Sequence, residues 1–565
     1  MTTRFDVSDV PLQGGYVAKQ CPVRAQNDIL VPGVPTPTSA WLQRLFDGGI
    51  AFEAEIVTSI VEVCPDAVVI SDHGDDAEVA TLRAMQSGAP VILGGRLPSD
   101  EVARRVGKPD LLVRADEGGG GYRAVDVKHH MAVDAKPAGR QGFPGRRSSL
   151  DRLALEQAVD DSETSGRKKQ GDLLQLAHYQ RMLEAAGMAT DDGRWAGIIG
   201  TERKVVWYDL DLPAWRTPSV TENSKLRSTM ERYDFEFDFR LDVIAVAQQH
   251  QRDASVDLAV VPVKVSECAD CPWWDYCRPR LEAGSGDVSL LPRIGWAQWK
   301  VHRDHGVTNR AELAALDERT AGYSGSGLRA LPLHIDLARA ALGPEPAYRK
   351  RGVDAVVAPR ADVEVDVDME NVEEGCYLWG VLVTDRGSAD PVVSRYEAFV
   401  TWDPMTPDVE TDNSLRFWRS FMELRSTTLA ARRSFRAYCY SEQAENRFLK
   451  RLGLAAAIAD EVNAFIDSDE WVDMLQVWDD QLITGGSSSL KVAAPITGFR
   501  WEVDDAGGGE SMLRYEAAVG DTEDSATARE WLLAYNRGDV EATLALREWM
   551  HSTDIPSIES VQPGS

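Results

Sequence analysis

Apolar and polar positions alternate with period two along several short stretches of the chain and recur with helical spacing along others. Tyr122-Arg-Ala-Val-Asp-Val-Lys128 alternates as a strand does, which places Asp126 and Lys128 on one face. Leu111-Leu-Val113 is an apolar strand candidate, and the glycine-rich stretch Gly118–Gly121 between the two predicts a hairpin. Val363-Glu-Val-Asp-Val-Asp-Met369 alternates apolar and acidic residues and predicts another strand, with Tyr377–Val383 the next. Helices are expected over about 330–342, 412–434, 442–466 and 525–549. Two short helices are expected around His305-Gly-Val-Thr308. Gly306 would cap the first, Thr308 or Asn309 would cap the second, and helix formers run from Arg310 to Leu316. Gln175 and Tyr179 stand four apart in a helical stretch and so share one helix face.

A length of 565 residues suits two to four domains. The pattern divides as 1–285, a helical linker over 286–350, a second domain over 358–552 and a Pro/Ser/Gly-bearing tail over 553–565 that is expected to fray. The fold class is α/β. No apolar run reaches membrane-spanning length and the first residues lack the apolar core of a signal peptide, so a cytoplasmic protein with no membrane partner is expected. No Gly-x4-Gly-Lys-Ser/Thr loop is present, which argues against an ATP-driven motor.

The formal net charge of −29 taken alone argues against a nucleic-acid partner, because phosphates need local cations. Charge placement changes that picture. Lys136, Arg140, Arg146, Arg147, Arg152, Arg167 and Lys168 form a basic segment directly after Lys128, either a phosphate-binding strip or a solvated loop.

Pro109-Asp110, Asp126-Val-Lys128 and Gln175-x-x-x-Tyr179 together supply what a metal-assisted cut of a phosphodiester needs. Carboxylates suit Mg²⁺ or Mn²⁺, and a neighbouring lysine stabilises developing negative charge and helps orient water. This ordered set resembles the RecB-type branch of the PD-(D/E)XK nucleases over roughly residues 10–285. The resemblance implies a restriction-endonuclease-like core in which Asp110 and Asp126 hold metal, Lys128 stabilises charge, and Gln175 and Tyr179 shape the site. The family's further upstream ligand is often histidine or glutamate. The matching stretch here has Glu53, with Glu55 in reserve, and His73 is an outside candidate.

Seven cysteines in a chain of this kind point to metal or redox chemistry where they cluster, rather than to disulfides. Cys268-Ala-Asp-Cys271 and Cys277 give C-x2-C-x5-C, and Cys21 lies far upstream. Some RecB-type nucleases, the CRISPR-associated exonucleases among them, carry this split pattern around a [4Fe-4S] cluster. The resemblance makes Cys21, Cys268, Cys271 and Cys277 its ligands and the cluster a staple between distant parts of the chain; the spacing also admits Zn²⁺. Cys64, Cys376 and Cys439 are expected to be ordinary core residues.

Ile294-Gly-Trp296 with Gly306-Val-Thr308 resembles a helix-hairpin-helix, a module that binds the DNA backbone; a plain helical spacer fits equally. In the second domain Asp368-Met-Glu370 on a strand, with Tyr535-x-x-x-Asp539 near the end, resembles the RNase H-like DEDD exonucleases. That resemblance implies a second metal site of Asp368, Glu370 and Asp539, with Glu445 or Asp473 as the middle acid. It implies also that Tyr535 orients water and Lys491 touches a phosphate. The two halves together resemble a bacterial family of fused RecB-like nucleases.

The expected function is a Mg²⁺- or Mn²⁺-dependent DNA nuclease, exonucleolytic on single-stranded ends in repair, recombination or defence. An RNase H-like 3′–5′ centre acting on DNA or RNA would be its second site. The alternative is a nucleic-acid-binding scaffold with one or both sites degenerate. An oxidoreductase is disfavoured because no Gly-x-Gly-x-x-Gly follows a strand.

Overall fold

The computed structural model describes residues 3–561 except 32, 34–39, 116–119, 136–142, 220–222, 320–321, 373, 388–393, 504–507 and 521–522. The chain forms two compact units, Met1–Pro262 with Glu267–Asp275, and Val263–Ser266 with Tyr276–Ser565. Among the described residues no helix is long and apolar enough to cross a membrane.

The first unit contains helices α1 (Pro22–Leu30), α2 (Ala40–Val63), α3 (Gly74–Gln86), α4 (Gln170–Ala185) and α5 (Thr229–Arg252), and α6 (Trp274–Leu281) begins at its end. Its strands are β1 (Val68–Val69), β2 (Val91–Leu93), β3 (Leu111–Arg114), β4 (Tyr122–Val127), β5 (Val133–Ala135), β6 (Phe143–Ser148), β7 (Val159–Gly166), β8 (Trp195–Ile199) and β9 (Val205–Asp209), with a separate hairpin β10 (Trp215–Ser219) and β11 (Asn223–Arg227). One mixed sheet runs β1-β2-β3-β4-β8-β9-β6-β7-β5. Strand alternation sorts its core into two layers. Leu111, Val113, Val125 and Val127 pack with Phe52, Ile56 and Ile60 of α2, while Leu112, Ala124 and Ile198 pack with Leu173, Leu174 and Ala177 of α4. The expected hairpin is present as antiparallel β3/β4; Gly118 and Gly119 of its turn lie outside the described residues. A Ser228/Glu231 capping box starts α5.

The basic segment is not a free loop. Its cations lie on and around β6 and β7, where Arg147 is ion-paired with Asp161, Arg146 lies 3.9 Å from Asp160, and Arg167 lies 3.4 Å from Asp134. Lys168 sits over the Trp215 ring. The acids of β7 therefore meet two of these cations, Arg146 and Arg147. Lys136 and Arg140 lie outside the described residues.

The second unit holds α7 (Trp296–Asp304), α8 (Arg310–Ala314), α9 (Gly325–Leu342), β12 (Tyr348–Arg349), β13 (Val363–Asn371), β14 (Cys376–Asp385), β15 (Ser394–Val400), α10 (Pro407–Ala430), β16 (Phe435–Cys439), α11 (Gln443–Ala455), α12 (Ala459–Ile466), β17 (Trp471–Asp473), α13 (Met474–Gln481), β18 (Leu482–Ile483), α14 (Leu490–Ala493), α15 (Gly508–Ala518) and α16 (Glu523–Ser552). The region expected as one helix over 442–466 is two, broken at Ala457, whose φ is 57°. Asn309 and Glu312 form the capping box that starts α8. The segment expected to be a separate linker packs Trp299, Leu313 and Ile335 in one core with Tyr348, Ile483 and Ile558. The expected frayed tail differs too: Ile555 and Ile558 are buried and Ser557 bridges to Arg349. Two apolar residues outweigh the polar composition around them.

The main sheet of this unit runs β15-β14-β13-β16-β17; β13 is antiparallel to β14 and parallel to β16. On β13 the apolar set Val363, Val365, Val367 and Met369 joins Phe417, Trp418 and Phe421 of α10 and Phe448 of α11 in one core. The other face carries four acids in a row, Glu364, Asp366, Asp368 and Glu370, and α16 packs across it. Arg547 of α16 is fully buried there, bonded to both Asp366 oxygens and, at 3.1 Å, to Glu364. Burial opposes the charge of Glu364, yet Arg386 and Arg547 hold its carboxyl below the ordinary range. At Asp366 burial wins and the pKa rises against the pull of Arg547.

Breaking this group strands buried charge. Arg547→Met is expected to cost about 3–5 kcal/mol. Urea unfolding of the full chain by tryptophan fluorescence checks it. The double change Arg547→Met with Asp366→Leu should recover part of the loss, because it removes both charges.

Candidate functional site

Beyond the Arg547 group the same strand face carries two more acids, Asp368 and Glu370. Strand alternation brings Asp368 and Glu370 to the side of α16, and helical spacing there brings Tyr535, Asn536 and Asp539 over them. Carboxylate oxygens of Asp368, Glu370 and Asp539 lie within 4.8 Å of one another, the one such group of three or more candidate ligands among the described residues. Gly380 stands opposite Asp368 on β14, and a Cβ there would lie 1.6 Å from Asn536 Oδ1. A bare glycine is thus what admits Asn536, whose Nδ2 donates to Asp368 Oδ2 at 2.8 Å while its Oδ1 accepts from Tyr396 Oη at 2.8 Å. Asp539 Oδ1 accepts from Lys491 Nζ at 2.5 Å and from Trp501 Nε1 at 2.7 Å. These bonds hold Asp368 by its Oδ2 and Asp539 by its Oδ1.

The sequence left two candidates for the middle acid, and the geometry separates them. Asp473 caps α13: its Oδ1 accepts from Leu475 N and from Ser441 N, both at 2.9 Å. Glu445, on α11, is buried with an Oε2 that has no hydrogen-bond partner among the described residues, and its charge acts on Asp368 and Glu370. Burial, then the charge of Asp539, pushes Asp368 well above the usual carboxylate range and Glu370 up to about 8. Burial likewise pushes Glu445 up to about 8. Crowded, desolvated carboxylates of this kind favour a proton or a hard cation, and their oxygen-only donor set suits Mg²⁺ or Mn²⁺. Tyr535 is buried beside them, with its ring stacked on Trp531 and Lys491 Nζ 4.4 Å from its centroid. Burial and then Glu370 and Asp539 push its phenol up, so it is a neutral O–H donor.

Residues 373–551 match a family model described as the RNase_H superfamily. The second unit contains an RNase H-like domain. Glu445, Lys491, Tyr535 and Asp539 lie inside the matched residues, and Asp368 and Glu370 on β13 directly precede them. No curated protein and no solved structure matches the chain.

In the first unit Asp126 is buried on β4, and Lys128, just past the strand end, lies 2.8 Å from its Oδ2. The spacing expectation of a shared face is visible in that pair. Asp110 Oδ2 accepts from Val127 N at 2.7 Å. Burial, then the charge of Asp126, pushes the Asp110 carboxyl well up, with Glu53 adding to it. Burial works against the Lys128 ammonium, but Asp126 and Asp110 outweigh it and hold its pKa above the ordinary value. On α4, Gln175 Nε2 donates to Tyr179 Oη at 2.7 Å, and Tyr179 Oη donates to Lys108 O at 3.1 Å.

These acids do not close as the second set does. Asp126 points to the α4 side of the sheet, whereas α2, which carries Glu53, packs on the opposite face. Glu55 is instead ion-paired with Arg203. His73 is an exposed residue just before α3, bonded within its own loop to Ser71 O at 3.0 Å. Two features were missed. Lys19 Nζ donates to Gln175 Oε1 at 2.8 Å, and burial followed by Lys128 lowers its pKa. Asp172 accepts from or pairs with His130 Nε2 at 3.0 Å. No spacing rule links Lys19 to residues so far along the chain.

Cys21 precedes α1, and the Cys268 charge bears on both it and Cys271; burial raises the Cys21 thiol to about 11. These three lie in the first unit, and Cys277, on α6, falls in the second. Cys376 and Cys439 are buried and Cys64 half-buried, as core residues.

The raised carboxyls set a pH dependence. Glu370 and Glu445 bind more protons folded than unfolded between their ordinary pKa near 4.5 and about 8, so the metal-free chain loses stability as pH rises through that window. Metal needs the ionised forms, so Mg²⁺ should raise the melting temperature more at pH 8.5 than at pH 6. Thermal melts with EDTA or Mg²⁺ at the two pH values check this. An equal Mg²⁺ shift at both contradicts it.

Proposed function

We propose that the chain is a divalent-metal-dependent nuclease whose better-formed centre is Asp368, Glu370, Glu445 and Asp539. The observation that carries this is the close acid triad, with Lys491 on Asp539, within an RNase H-like domain. A bound Mg²⁺ or Mn²⁺ pair would lower the pKa of an attacking water and stabilise in-line displacement at phosphorus. The side chains do the rest. Asn536 and Trp501 orient the two aspartates, Tyr535 offers a neutral O–H to the water, and Lys491 supplies a cation beside Asp539 for the phosphate. The substrate we propose is the end of a single DNA strand, digested exonucleolytically.

The first unit is proposed as a second, PD-(D/E)XK-type centre, with Asp110, Asp126 and Glu53 holding metal and Lys128, Gln175 and Tyr179 completing it. What supports it is the buried Asp126–Lys128 pair beside a raised Asp110. Cys21, Cys268, Cys271 and Cys277 are proposed to hold a [4Fe-4S] cluster, with Zn²⁺ as the other candidate; the C-x2-C-x5-C spacing of the last three supports it. The competing reading is a nucleic-acid-binding scaffold, favoured by the first unit's acids not forming a close group of three candidate ligands as Asp368, Glu370 and Asp539 do among the described residues.

With Mg²⁺ or Mn²⁺ and labelled single-stranded DNA, Asp368→Asn or Asp539→Asn should lower cleavage about 10³-fold, the scale of losing one stabiliser of developing charge. Tyr535→Phe should lower it about 10²-fold. Cleavage that survives these and fails in Lys128→Ala would move the activity to the first unit. A wild type that binds DNA and never cuts establishes the scaffold. Anaerobically purified protein should be brown with visible Fe–S absorption. A colourless protein with stoichiometric zinc overturns the cluster assignment.

A further inference from the structure

Trp501 is tied to the acid centre three ways. Its Nε1 donates to Asp539 Oδ1 at 2.7 Å, Lys491 Nζ lies 4.2 Å from its ring centroid, and its ring lies so close to Gly538 that a Cβ there would stand 2.5 Å from Trp501 Cδ1. Glycine before Asp539 therefore leaves room for the Cδ1–Nε1 edge of the indole beside Asp539. Phe499 meets Trp501 edge to face, centroids 5.0 Å apart, and both rings are half-exposed. This places a partly exposed aromatic pair beside the acid centre. Every nucleobase offers a π-face, and stacking one on an aromatic side chain is worth enough to hold a strand end. Electrostatics offers less. The chain is strongly acidic, Lys491 is bonded to Asp539, and Arg537 lies over the Tyr396 ring.

We propose that Trp501 and Phe499 form the platform on which the base of the terminal nucleotide stacks, which restricts the RNase H-like centre to unpaired ends. This rests on the reading of Asp368, Glu370 and Asp539 as a nuclease centre. A base within a duplex has both faces covered by its neighbours and cannot reach the ledge. Trp501 has two separable duties here, the ring for the base and the N–H for Asp539.

The test uses the full chain carrying Lys128→Ala, Mg²⁺, and a 5′-labelled oligothymidylate in single-turnover digestion, with and without the base of the terminal nucleotide. The intact strand should reach half-maximal rate at a protein concentration about 5- to 150-fold lower than the abasic strand. Trp501→Leu should raise the requirement for the intact strand by a similar factor and abolish the difference between the two strands. Trp501→Phe keeps the ring and loses the N–H, so it should bind near the parent level and turn over more slowly. Phe499→Leu, which touches no acid, should narrow the intact-to-abasic gap if Trp501→Leu does not fold. A parent that cuts both strands at the same protein concentration overturns the platform and leaves the nuclease reading standing. A parent that cuts neither strand overturns both.

Discussion

Four carboxylates on one face of a single central strand cannot all be charged next to a packed helix unless something answers them. In β13 two answers are used. Arg547 meets Glu364 and Asp366 with a fully buried guanidinium, whereas Asp368 and Glu370 meet another acid, Asp539. The first half of the row is a closed ion group that holds α16 on the sheet. The second half is an open one, whose excess charge is tolerable only with protons or a hard cation. Stability and reactivity are thus assigned to adjacent parts of one strand face, and the remainder of the domain keeps that face in register.

The first unit deals with its acids differently. Asp126 has its own lysine, and the acids of β7 and the arginines of β6 cancel one another. The carboxylates proposed for metal are not drawn into a close group of three among the described residues. Two helices serve it: α4 packs Tyr179 on the Asp126 side, and the charge of Glu53 on α2 acts on Asp110. The two centres share the chemistry of carboxylate oxygens and differ in how far the fold alone assembles them.

Much of this was legible from spacing. Period-two alternation found β4 and β13 and put Asp126 with Lys128 and Asp368 with Glu370 on common faces, and four-residue spacing paired Tyr535 with Asp539 and Gln175 with Tyr179. What spacing could not carry was the identity of partners across long separations. Glu445 and Asp473 look alike in sequence, and only the backbone bonds of Asp473 show that it caps a helix. Arg547 looks like a surface helix residue until the strand beneath it is known. Trp501, Lys19 and the glycines at 380 and 538 matter through neighbours more than thirty residues away or through contacts that leave no pattern. The polar tail misled because two buried isoleucines outweigh it, and spacing did not show that Arg146 and Arg147 of the basic segment have acids opposite them on the next strand.

The match between α16 and β13 has a metric basis. From Asp539 to Arg547 the helix rises roughly 12 Å, and from the Asp368–Glu370 pair to the Glu364–Asp366 pair the strand advances roughly 13 Å. Eight helical residues and four extended ones therefore span the same length, so guanidinium and carboxylate land on their targets together. The pairing works as a vernier. Sliding the helix by one residue would take both ends off their marks at once, and the acid centre cannot be misaligned while the ion group is intact.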